Sequence, residues 1–383
     1  MTVLTRAAVV RRQGGAFQFE EVAIEDPRPG EVLVRMVACG ICHTDIAARD
    51  GLLSMPFPAV FGHEGAGIVE RAGEGVTKVR PGDRAVLSFS SCGECPSCKE
   101  GHPSRCSLFD ELNFEGARAD GSSTIREPGG APVACCFFGQ SSLSCYVLTR
   151  ERNLVAVDAS GEDELALFAP LGCGLQAGAG TVLNELKPRA GESFAVFGAG
   201  TVGLGALMAA RMAGAAPIVA VDIVPSRLEL ARELGAAHTI DGRREDAVSR
   251  LRETAPAGIS HAVETTGLSR VMDQAVRSLG PGGKLSMLGI PADAPNERVS
   301  PKRPSPGQTV FYSIAGDSDP RTFIPFLIKS YREGKFPFDR LIRQYPASLI
   351  NEAVRDSIEG VTIKPVLRFG PGDCPPAVRS LPS

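Results

Sequence analysis

The sequence lacks the features that mark membrane-spanning, secreted and nucleic-acid-binding proteins. No apolar run reaches the length that crosses a lipid bilayer, and residues 1–6 do not form the apolar core of a signal peptide. The formal net charge is only −3, which gives no reason to expect a nucleic acid or an acidic membrane surface as a partner. The sequence therefore predicts a cytoplasmic protein with no nucleic-acid partner and no membrane partner.

The length and the cysteine content favour two domains and bound metal. A chain of 383 residues exceeds the size at which one hydrophobic core usually stops growing. Eleven cysteines in a chain without a signal peptide favour metal binding over a disulfide framework. Five of them have no ligand spacing and are predicted to pack in the interior or to lie exposed, with no function. These are Cys39, Cys135, Cys136, Cys145 and Cys374.

Four further cysteines form a compact pattern, Cys92-x2-Cys95-x2-Cys98-x7-Cys106. Four thiolates complete a tetrahedral shell around Zn²⁺ and leave no open position for chemistry. The segment 92–106 therefore predicts a structural zinc lobe. Metal binding would stabilise a loop that has too few apolar residues to hold itself.

Cys42 and His63 are a thiolate and an imidazole, the pairing that suits zinc. Because no third ligand stands near them in sequence, a distant segment must complete the site, and Cys173 is the proposed third ligand. Two thiolates and a neutral imidazole cancel the charge of Zn²⁺ and leave a fourth position for water or a substrate oxygen. The sequence thus predicts an open, catalytic zinc site, with ordinary packing as the alternative for each residue.

The second half of the chain begins with a pattern that is typical of dinucleotide binding. An apolar strand at 193–197 runs directly into a glycine-rich turn at 198–203, and a helix of small residues follows. The next apolar strand, 218–221, ends at Asp222. Glycines let the backbone approach a pyrophosphate, and the helix N-terminus faces its negative charge. The predicted cofactor contacts in the turn are Gly198, Gly200, Thr201, Val202 and Gly203.

Asp222 predicts NAD rather than NADP as the cofactor. A carboxylate at this place accepts hydrogen bonds from the adenosine ribose hydroxyls and repels a 2′-phosphate. Ile223 behind it offers no compensating cation. Arg227 is the residue that argues the other way, since a cation five positions on could reach a phosphate.

Six residues between positions 62 and 76 extend this pattern to a known family. They are Gly62, His63, Glu64, Gly67, Gly73 and Val76. Their spacing resembles the zinc signature of the medium-chain dehydrogenase/reductases, and nearly the whole chain resembles the zinc-containing alcohol dehydrogenases of that family. The segments 87–93, 139–142 and 360–367 look most like bacterial aryl-alcohol (benzyl alcohol) and geraniol dehydrogenases.

The resemblance implies an α/β fold with two domains. A GroES-like, partly open β-barrel would form the catalytic domain from 1–172 and 315–383, and would carry the zinc lobe. A Rossmann domain with a doubly wound, six-stranded parallel sheet would occupy 173–314. Members of this family commonly pair through sheet edges, so a homodimer or a homotetramer is expected.

The resemblance also implies roles for the neighbours of the zinc ligands. Thr44 corresponds to the hydroxyl that accepts the alcohol proton, and Asp45 to the carboxylate that orients His63. Glu64 corresponds to an acid that moves toward zinc during ligand exchange. His43 stands where relatives place a cation on the pyrophosphate, and Arg227 where a basic residue accompanies NAD.

Three features of the sequence concern proton transfer and the substrate. Ala47 replaces the histidine that passes the proton to solvent in better known relatives, so protons would leave through the ribose and water. Ser88 replaces a large aromatic residue of ethanol-specific members, which predicts a wide pocket with Leu53 and Phe138 in its walls. Phe311 and Tyr312 replace a basic residue and a glycine of close relatives, and their rings would either narrow the nicotinamide end of the site or alter subunit contacts.

These observations predict an enzyme with two zinc ions per chain, one catalytic and one structural. It would oxidise a primary aromatic or allylic alcohol to the aldehyde with NAD, reversibly. A specialised biosynthetic carbonyl or alkene reductase, or a thiol-adduct formaldehyde dehydrogenase, is the alternative within the family. A zinc-stabilised nucleotide-binding protein without catalysis is the alternative from another class.

Overall fold

In the computed structural model, which describes residues 2–291, 306–370, 372–374 and 378–379, the chain divides into two units. Unit 1 comprises Met1–Cys173, Asp319–Pro325 and Leu341–Ser383. Unit 2 comprises Gly174–Ser318 and Phe326–Arg340. Residues 292–305 lie outside the described residues.

The first part of unit 1 is built mainly from strands. Its strands are β1 (Thr2–Val10), β2 (Gln18–Glu25), β3 (Glu31–Gly40), β4 (Ala59–Val60), β5 (Gly65–Ala72), β6 (Arg84–Leu87), β7 (Ile125–Arg126), β8 (Pro132–Val133), β9 (Tyr146–Arg150) and β10 (Leu154–Ala156). Its helices are α1 (His43–Arg49), α2 (Pro96–Lys99), α3 (Phe109–Phe114) and α4 (Glu162–Phe168).

Unit 2 alternates strands and helices, as its sequence pattern predicts. Its helices are α5 (Gly174–Gly180), α6 (Thr201–Met212), α7 (Pro225–Leu234), α8 (Ala247–Thr254) and α9 (Ser269–Ser278). Its strands are β11 (Phe194–Phe197), β12 (Ile218–Asp222), β13 (His238–Asp241), β14 (Ile259–Glu264), β15 (Leu279–Met287) and β16 (Thr309–Tyr312). They form a parallel sheet in the order β13-β12-β11-β14-β15-β16, which confirms the predicted six-stranded Rossmann architecture.

The chain then enters unit 1 at Asp319, belongs to unit 2 again from Phe326 to Arg340, and returns to unit 1 at Leu341. Helix α10 (Pro320–Arg332) leads to β17 (Ile342–Pro346), α11 (Ile350–Ile358), β18 (Lys364–Arg368) and β19 (Val378–Arg379). Strand β18 is inserted between β3 and β17, and pairs Val366 with Gly40. A strand near the C-terminus therefore lies beside the segment that carries Cys42.

Two sheets enclose the apolar interior of unit 1. One has the order β19-β1-β2-β7-β8, with β4 paired to β1, and the other has the order β10-β6-β5-β3-β18-β17, with β9 paired to β3. Strand β3 is buried along nearly its whole length because both of its faces are covered. A run of Val, Met and Ala rather than an alternating pattern is the sequence that such a strand requires.

Two expectations for unit 1 are corrected by the structure. The Gly, Asp and Ser residues of the segment 107–137 predict a surface loop with one hairpin, but the segment also contains helix α3. Phe109 and Phe114 of this helix join an aromatic cluster. Cys145 and Cys374, predicted only to pack in the interior or to lie exposed, form a disulfide bond across a sequence separation of 229 residues.

Among the described residues, no single helix is both long and apolar enough to cross a membrane. One bent pair of helical segments, Glu162–Gly172 and Gly174–Leu186, reaches that length and composition when the two are taken together.

Candidate active site

Unit 1 brings together Cys42, His63, Glu64 and Cys173, whose ligand atoms all lie within 4.8 Å of one another. Cys42 is the N-cap residue of α1, and His63 stands in the turn between β4 and β5. Cys173 follows a short 3-10 turn that ends at Gly172. A Cβ atom on Gly172 would lie 2.1 Å from the Leu87 carbonyl oxygen, so glycine is needed to bring Cys173 this close to β6.

Asp45 fixes the geometry of two of these residues. Its Oδ1 lies 2.9 Å from His63 Nδ1 and accepts a hydrogen bond from the Gly62 backbone N–H, while its Oδ2 accepts one from the Cys42 backbone N–H. The carboxylate is completely buried. It therefore sets the tautomer and orientation of the imidazole, as predicted for a carboxylate that supports a metal ligand.

The other ring nitrogen of His63 supplies a test of metal binding. His63 Nε2 is buried and has no nitrogen or oxygen partner among the described residues, and the ring interacts instead with the Cys42 thiolate. A buried polar atom without a partner is costly in an apolar interior, whereas a nitrogen facing two sulfur atoms suits zinc. The donor set Cys42, His63 and Cys173, which the sequence analysis names as zinc ligands, thus fits a zinc ion.

The charges of this cluster favour a thiolate. A hydrogen bond from the Cys173 thiol, followed by the charge of His63, lowers the pKa of Cys42 well below its usual range. Burial opposes charge on His63, but the charges of Asp45 and Cys42 outweigh it and raise its pKa. Thr44 adds a hydroxyl to the site, because its Oγ1 lies 3.5 Å from Cys42 Sγ.

Glu64 is paired with a residue that the sequence analysis missed. Lys364 Nζ on β18 donates to both carboxylate oxygens of Glu64 at 2.9 Å and to the Ile41 carbonyl oxygen at 2.8 Å. Both side chains are buried, and desolvation raises the pKa of Glu64 to about 7 although Lys364 lowers it. The sequence did contain a sign of this pair. Lys364 begins the apolar strand Lys364-Pro365-Val366-Leu367, and a lysine buried with such a strand needs a partner.

Aromatic rings cover one side of His63. Phe138 stacks on the imidazole, with ring centroids 4.4 Å apart and an interplanar angle of 22°, and Phe137 meets it edge-on. Phe138 adopts a left-handed backbone with φ of 52°, which is unusual for a bulky residue.

The other two residues predicted for the substrate pocket are Leu53 and Ser88, and both are at least partly buried. Leu53 packs as a partly buried residue against the core of unit 1. Ser88 is fully buried, and its Oγ donates a hydrogen bond of 2.7 Å to the Gly172 carbonyl oxygen. The structure therefore shows Ser88 holding the turn that precedes Cys173.

The four cysteines of the 92–106 segment also come together, with all sulfur atoms within 4.8 Å of one another. Backbone N–H groups point at these sulfurs. Cys106 Sγ accepts from Cys92 and Leu108, and Cys92 Sγ accepts from Glu94 and Cys95. Such N–H···S contacts stabilise thiolates, and the chemistry of four thiolates fits zinc.

In unit 2, Asp222 is tied to the glycine-rich turn. Its Oδ2 accepts a hydrogen bond of 2.6 Å from the Ala199 backbone N–H, and its Oδ1 accepts from Ile223 and Val224. A Cβ atom on Gly203 would lie 1.9 Å from the Gly198 carbonyl oxygen, whereas one on Gly200 would meet open space. The turn at Gly200 and the start of α6 at Thr201 thus leave room for a phosphate group.

The remaining predicted residues have these positions. His43 is exposed at the start of α1, and Ala47 is buried in the same helix. Arg227 lies in the first turn of α7, and its Nε is buried without a hydrogen bond to a described residue. Phe311 and Tyr312 lie on the edge strand β16, where Tyr312 is 62% exposed.

Comparisons with known proteins agree with this architecture. The family described as "Alcohol dehydrogenase GroES-like domain" matches residues 28–159, and the family described as "Zinc-binding dehydrogenase" matches residues 201–329. The geraniol dehydrogenase of Castellaniella defragrans is 44% identical over 370 residues, which cover 96% of this chain and 98% of that protein.

Two solved structures are also similar over nearly the whole chain. The alcohol dehydrogenase zinc-binding domain protein of Burkholderia ambifaria has a TM-score of 0.93 at 47% identity, covering 97% of this chain and 100% of that one. The benzyl alcohol dehydrogenase of Acinetobacter calcoaceticus has a TM-score of 0.91 at 41% identity, covering 96% and 99%. The chain therefore belongs to the zinc-binding alcohol dehydrogenases of the medium-chain dehydrogenase/reductase family and is an oxidoreductase.

Proposed function

We propose that this enzyme oxidises a primary aromatic or allylic alcohol to its aldehyde, with reversible hydride transfer to NAD, and that Cys42, His63 and Cys173 hold the catalytic zinc. The observation that carries the proposal is that the buried Nε2 of His63 has no nitrogen or oxygen partner among the described residues and stands in a cluster with two thiols. The Thr44 hydroxyl beside Cys42 adds the group that a proton transfer needs.

The chain's own residues hold the reacting groups and handle the proton. Zinc, when bound, is a Lewis acid that favours the alkoxide form of an alcohol, and NAD is the acceptor of the hydride. Asp45 keeps His63 in the tautomer that presents Nε2, and Thr44 takes the proton from the alcohol. Glu64, anchored by Lys364, is the acid that we propose to move during ligand exchange.

The substrate class rests on the aromatic surroundings of His63 and on the relatives. Phe138 lies against the imidazole, and Phe109 and Phe114 pack on Phe138. Geraniol and benzyl alcohol are named as substrates of two proteins that are more than 40% identical to this chain. Both are primary alcohols with an unsaturated carbon beside the carbinol, so we propose this class and retain Leu53, Ser88 and Phe138 as pocket residues.

The direct test is the initial rate of NADH formation with benzyl alcohol, geraniol and ethanol. We expect kcat/KM for benzyl alcohol or geraniol to exceed that for ethanol by at least about a hundredfold, because apolar contacts of the larger group stabilise the transition state. A preference for ethanol would reject the substrate class. No turnover of any of the three would favour a specialised reductase or a thiol-adduct formaldehyde dehydrogenase, which carbonyl substrates and formaldehyde with glutathione would reveal.

The two cysteine clusters predict two zinc ions per chain, one in each centre. Changing Cys98 to serine is expected to remove about one zinc ion and to lower the thermal midpoint, because the 92–106 loop depends on metal for its fold. Elemental analysis measures the zinc content, and calorimetry measures the thermal midpoint. Cys39→Ser, which alters a buried thiol outside both clusters, is the control; a Cys98 variant that keeps two ions would contradict the assignment.

Asp222 predicts the choice between NAD and NADP. Its replacement by asparagine is expected to lower kcat/KM for NAD by about tenfold, because a charged hydrogen-bond acceptor for the ribose is lost. The ratio of NADP to NAD efficiency should rise, since the repulsion of the 2′-phosphate also falls. Asp241 ends the neighbouring strand β13 in register with Asp222, so Asp241→Asn is the matched control. Equal effects of the two substitutions would reject the role of Asp222.

The wider organisation is proposed on the family relationship. We propose that residues 1–172 and 315–383 form the catalytic domain and that residues 173–314 form the NAD-binding domain. His43, Gly198, Gly200, Thr201, Val202, Gly203 and Arg227 are the proposed further contacts to the cofactor. We also propose a cytoplasmic homodimer or homotetramer.

A further inference from the structure

Two adjacent cysteines outside both metal clusters form a second thiol centre in unit 1. The sulfur atoms of Cys135 and Cys136 are 3.6 Å apart, and both side chains are buried. Neither residue belongs to a group of potential metal ligands among the described residues. Their chemistry is therefore left unused by the alcohol-oxidising site.

The surroundings of Cys135 stabilise a thiolate. Its sulfur accepts hydrogen bonds from the Thr124 hydroxyl at 3.1 Å and the Thr124 backbone N–H at 3.3 Å, and the Ser123 hydroxyl lies at 3.2 Å. Together with the thiol of Cys136, which has the largest effect, these groups lower the pKa of Cys135 to about 6. One sulfur of the pair is thus held in its nucleophilic form next to a protonated neighbour.

Cys136 connects this pair to solvent. It lines a cavity of about 260 Å³ together with Arg118, Gly139 and Asn153. The cavity lies within unit 1 and is open to solvent. A molecule as small as hydrogen peroxide can enter it and meet Cys136, whereas Cys135 does not line the cavity and is fully buried behind it.

The pair is also linked to His63 through the backbone. Cys136 has a left-handed conformation with φ of 60°, and the next two residues are Phe137 and Phe138, which pack on the imidazole. The Gly139 N–H donates to the Cys136 carbonyl oxygen at 2.6 Å, which closes the turn that presents Phe138. A change at Cys136 is therefore transmitted over two residues to the ring that covers His63.

We propose that Cys135 and Cys136 are an oxidation site, that a hydroperoxide converts them to a vicinal disulfide, and that the disulfide displaces Phe138 from His63 and reversibly lowers activity. The effect on activity rests on the proposed function. Cys136, which meets the cavity, passes its proton to the Cys135 thiolate 3.6 Å away, and its sulfur attacks one peroxide oxygen. The O–O bond breaks, and sulfenic acid and hydroxide form. The second thiol attacks this sulfur, the S–S bond forms, and water leaves. Two thiols lose two electrons, and peroxide with two protons becomes two waters.

The geometry explains why the disulfide would act on the site. The sulfurs must move from 3.6 Å apart to about 2.0 Å, and adjacent Cα atoms lie closer than those of ordinary disulfides. The backbone at Cys135–Cys136 must therefore change. Phe137 and Phe138 follow directly in the same tight turn, so a backbone change at Cys135–Cys136 must shift these two residues.

The test uses zinc-loaded full-length protein treated with equimolar hydrogen peroxide. Free thiols are then alkylated after denaturation, and digestion with trypsin and chymotrypsin separates Cys135–Cys136 from Cys145 by cleavage after Phe137 or Phe138. We expect a peptide that is unalkylated and about two mass units lighter than the dithiol. We expect turnover to fall on the order of tenfold with zinc retained, and to recover with a phosphine reductant.

Two variants separate this centre from the zinc thiolates. Cys136→Ser is expected to keep its turnover under the same treatment. Cys39→Ser retains both Cys135 and Cys136, so its turnover should fall as it does in the unaltered protein. Two alkylated cysteines at 135 and 136 in an enzyme that turns over substrate would overturn the proposal and leave the proposed function intact. A disulfide that forms without any fall in turnover, or a fall that follows zinc release alone, would also overturn it. A protein without turnover before oxidation would instead reject the proposed function, while the mass measurement would still decide whether the disulfide forms.

Discussion

Changing Cys173 to serine is expected to lower kcat/KM for alcohol oxidation by at least about a thousandfold, which corresponds to about 4 kcal/mol of transition-state stabilisation. The substitution replaces a sulfur of the Cys42, His63 and Cys173 set with a hydroxyl that zinc binds poorly. His63 Nε2 would again lack a partner, because the remaining ligands hold the metal weakly. Steady-state rates and zinc content, measured on the same preparation, give the result.

Cys39→Ser is the matched control for Cys173. Cys39 is a fully buried thiol of the same unit whose hydrogen bond goes to the Gly40 carbonyl oxygen rather than to the cluster. Its substitution should leave zinc content unchanged and turnover within a few-fold. A Cys173 variant that retains both its zinc and its turnover would show that another residue completes the site.

Changing Lys364 to methionine is expected to destabilise unit 1 by up to about 3–5 kcal/mol at pH 8, because Glu64 loses its counterion and must either remain an unpaired buried charge or take up a proton. The loss should be smaller at pH 5. Lys364 lowers the pKa of Glu64, so the loss of the lysine should raise that pKa further above about 7. At pH 5 Glu64 is then neutral, and a neutral acid needs no counterion. Stability of the variant relative to the original protein should thus decline as the pH rises through that region. Urea unfolding at both pH values measures the difference.

Two further variants isolate the charge pair. The double variant Lys364→Met with Glu64→Gln removes both charges and should recover most of the lost stability. Arg368→Met on the same strand breaks a pair with Asp163, which is 95% exposed, so it should cost at most about 1 kcal/mol. If Lys364→Met were as mild as Arg368→Met, the carboxylate of Glu64 would not depend on the lysine.

Local patterns made the two cofactor-binding elements predictable. The 92–106 cysteines are close in sequence, and strand, glycine turn and helix follow one another between 193 and 214. Each element therefore carries its own chemistry in its order of residues. The cluster at Cys42 was less local, since the sequence predicts Cys173 as a distant third ligand but no spacing rule connects it to Cys42.

Contacts between distant segments were what the sequence could not reveal. Lys364 meets Glu64 across 300 residues, and the Cys145–Cys374 bond spans 229. Neither separation follows any spacing rule, because both depend on how β3, β9 and β18 are paired in the finished sheet. Ser88 illustrates a different difficulty, since its position in the chain gave no sign that its hydroxyl holds the Gly172 turn.

The place of β18 between β3 and β17 has a consequence for how a cell makes this protein. A ribosome delivers Cys42, His63 and Glu64 early, but the strand that completes their sheet and carries the counterion of Glu64 leaves the exit tunnel about 300 residues later. The residues of unit 2 emerge before Lys364 does, and they can fold while unit 1 still lacks its last strands. A chain whose synthesis stops before residue 364 would thus present an incomplete barrel to chaperones and proteases, and stable loading of the catalytic zinc would belong to the last stage of biosynthesis.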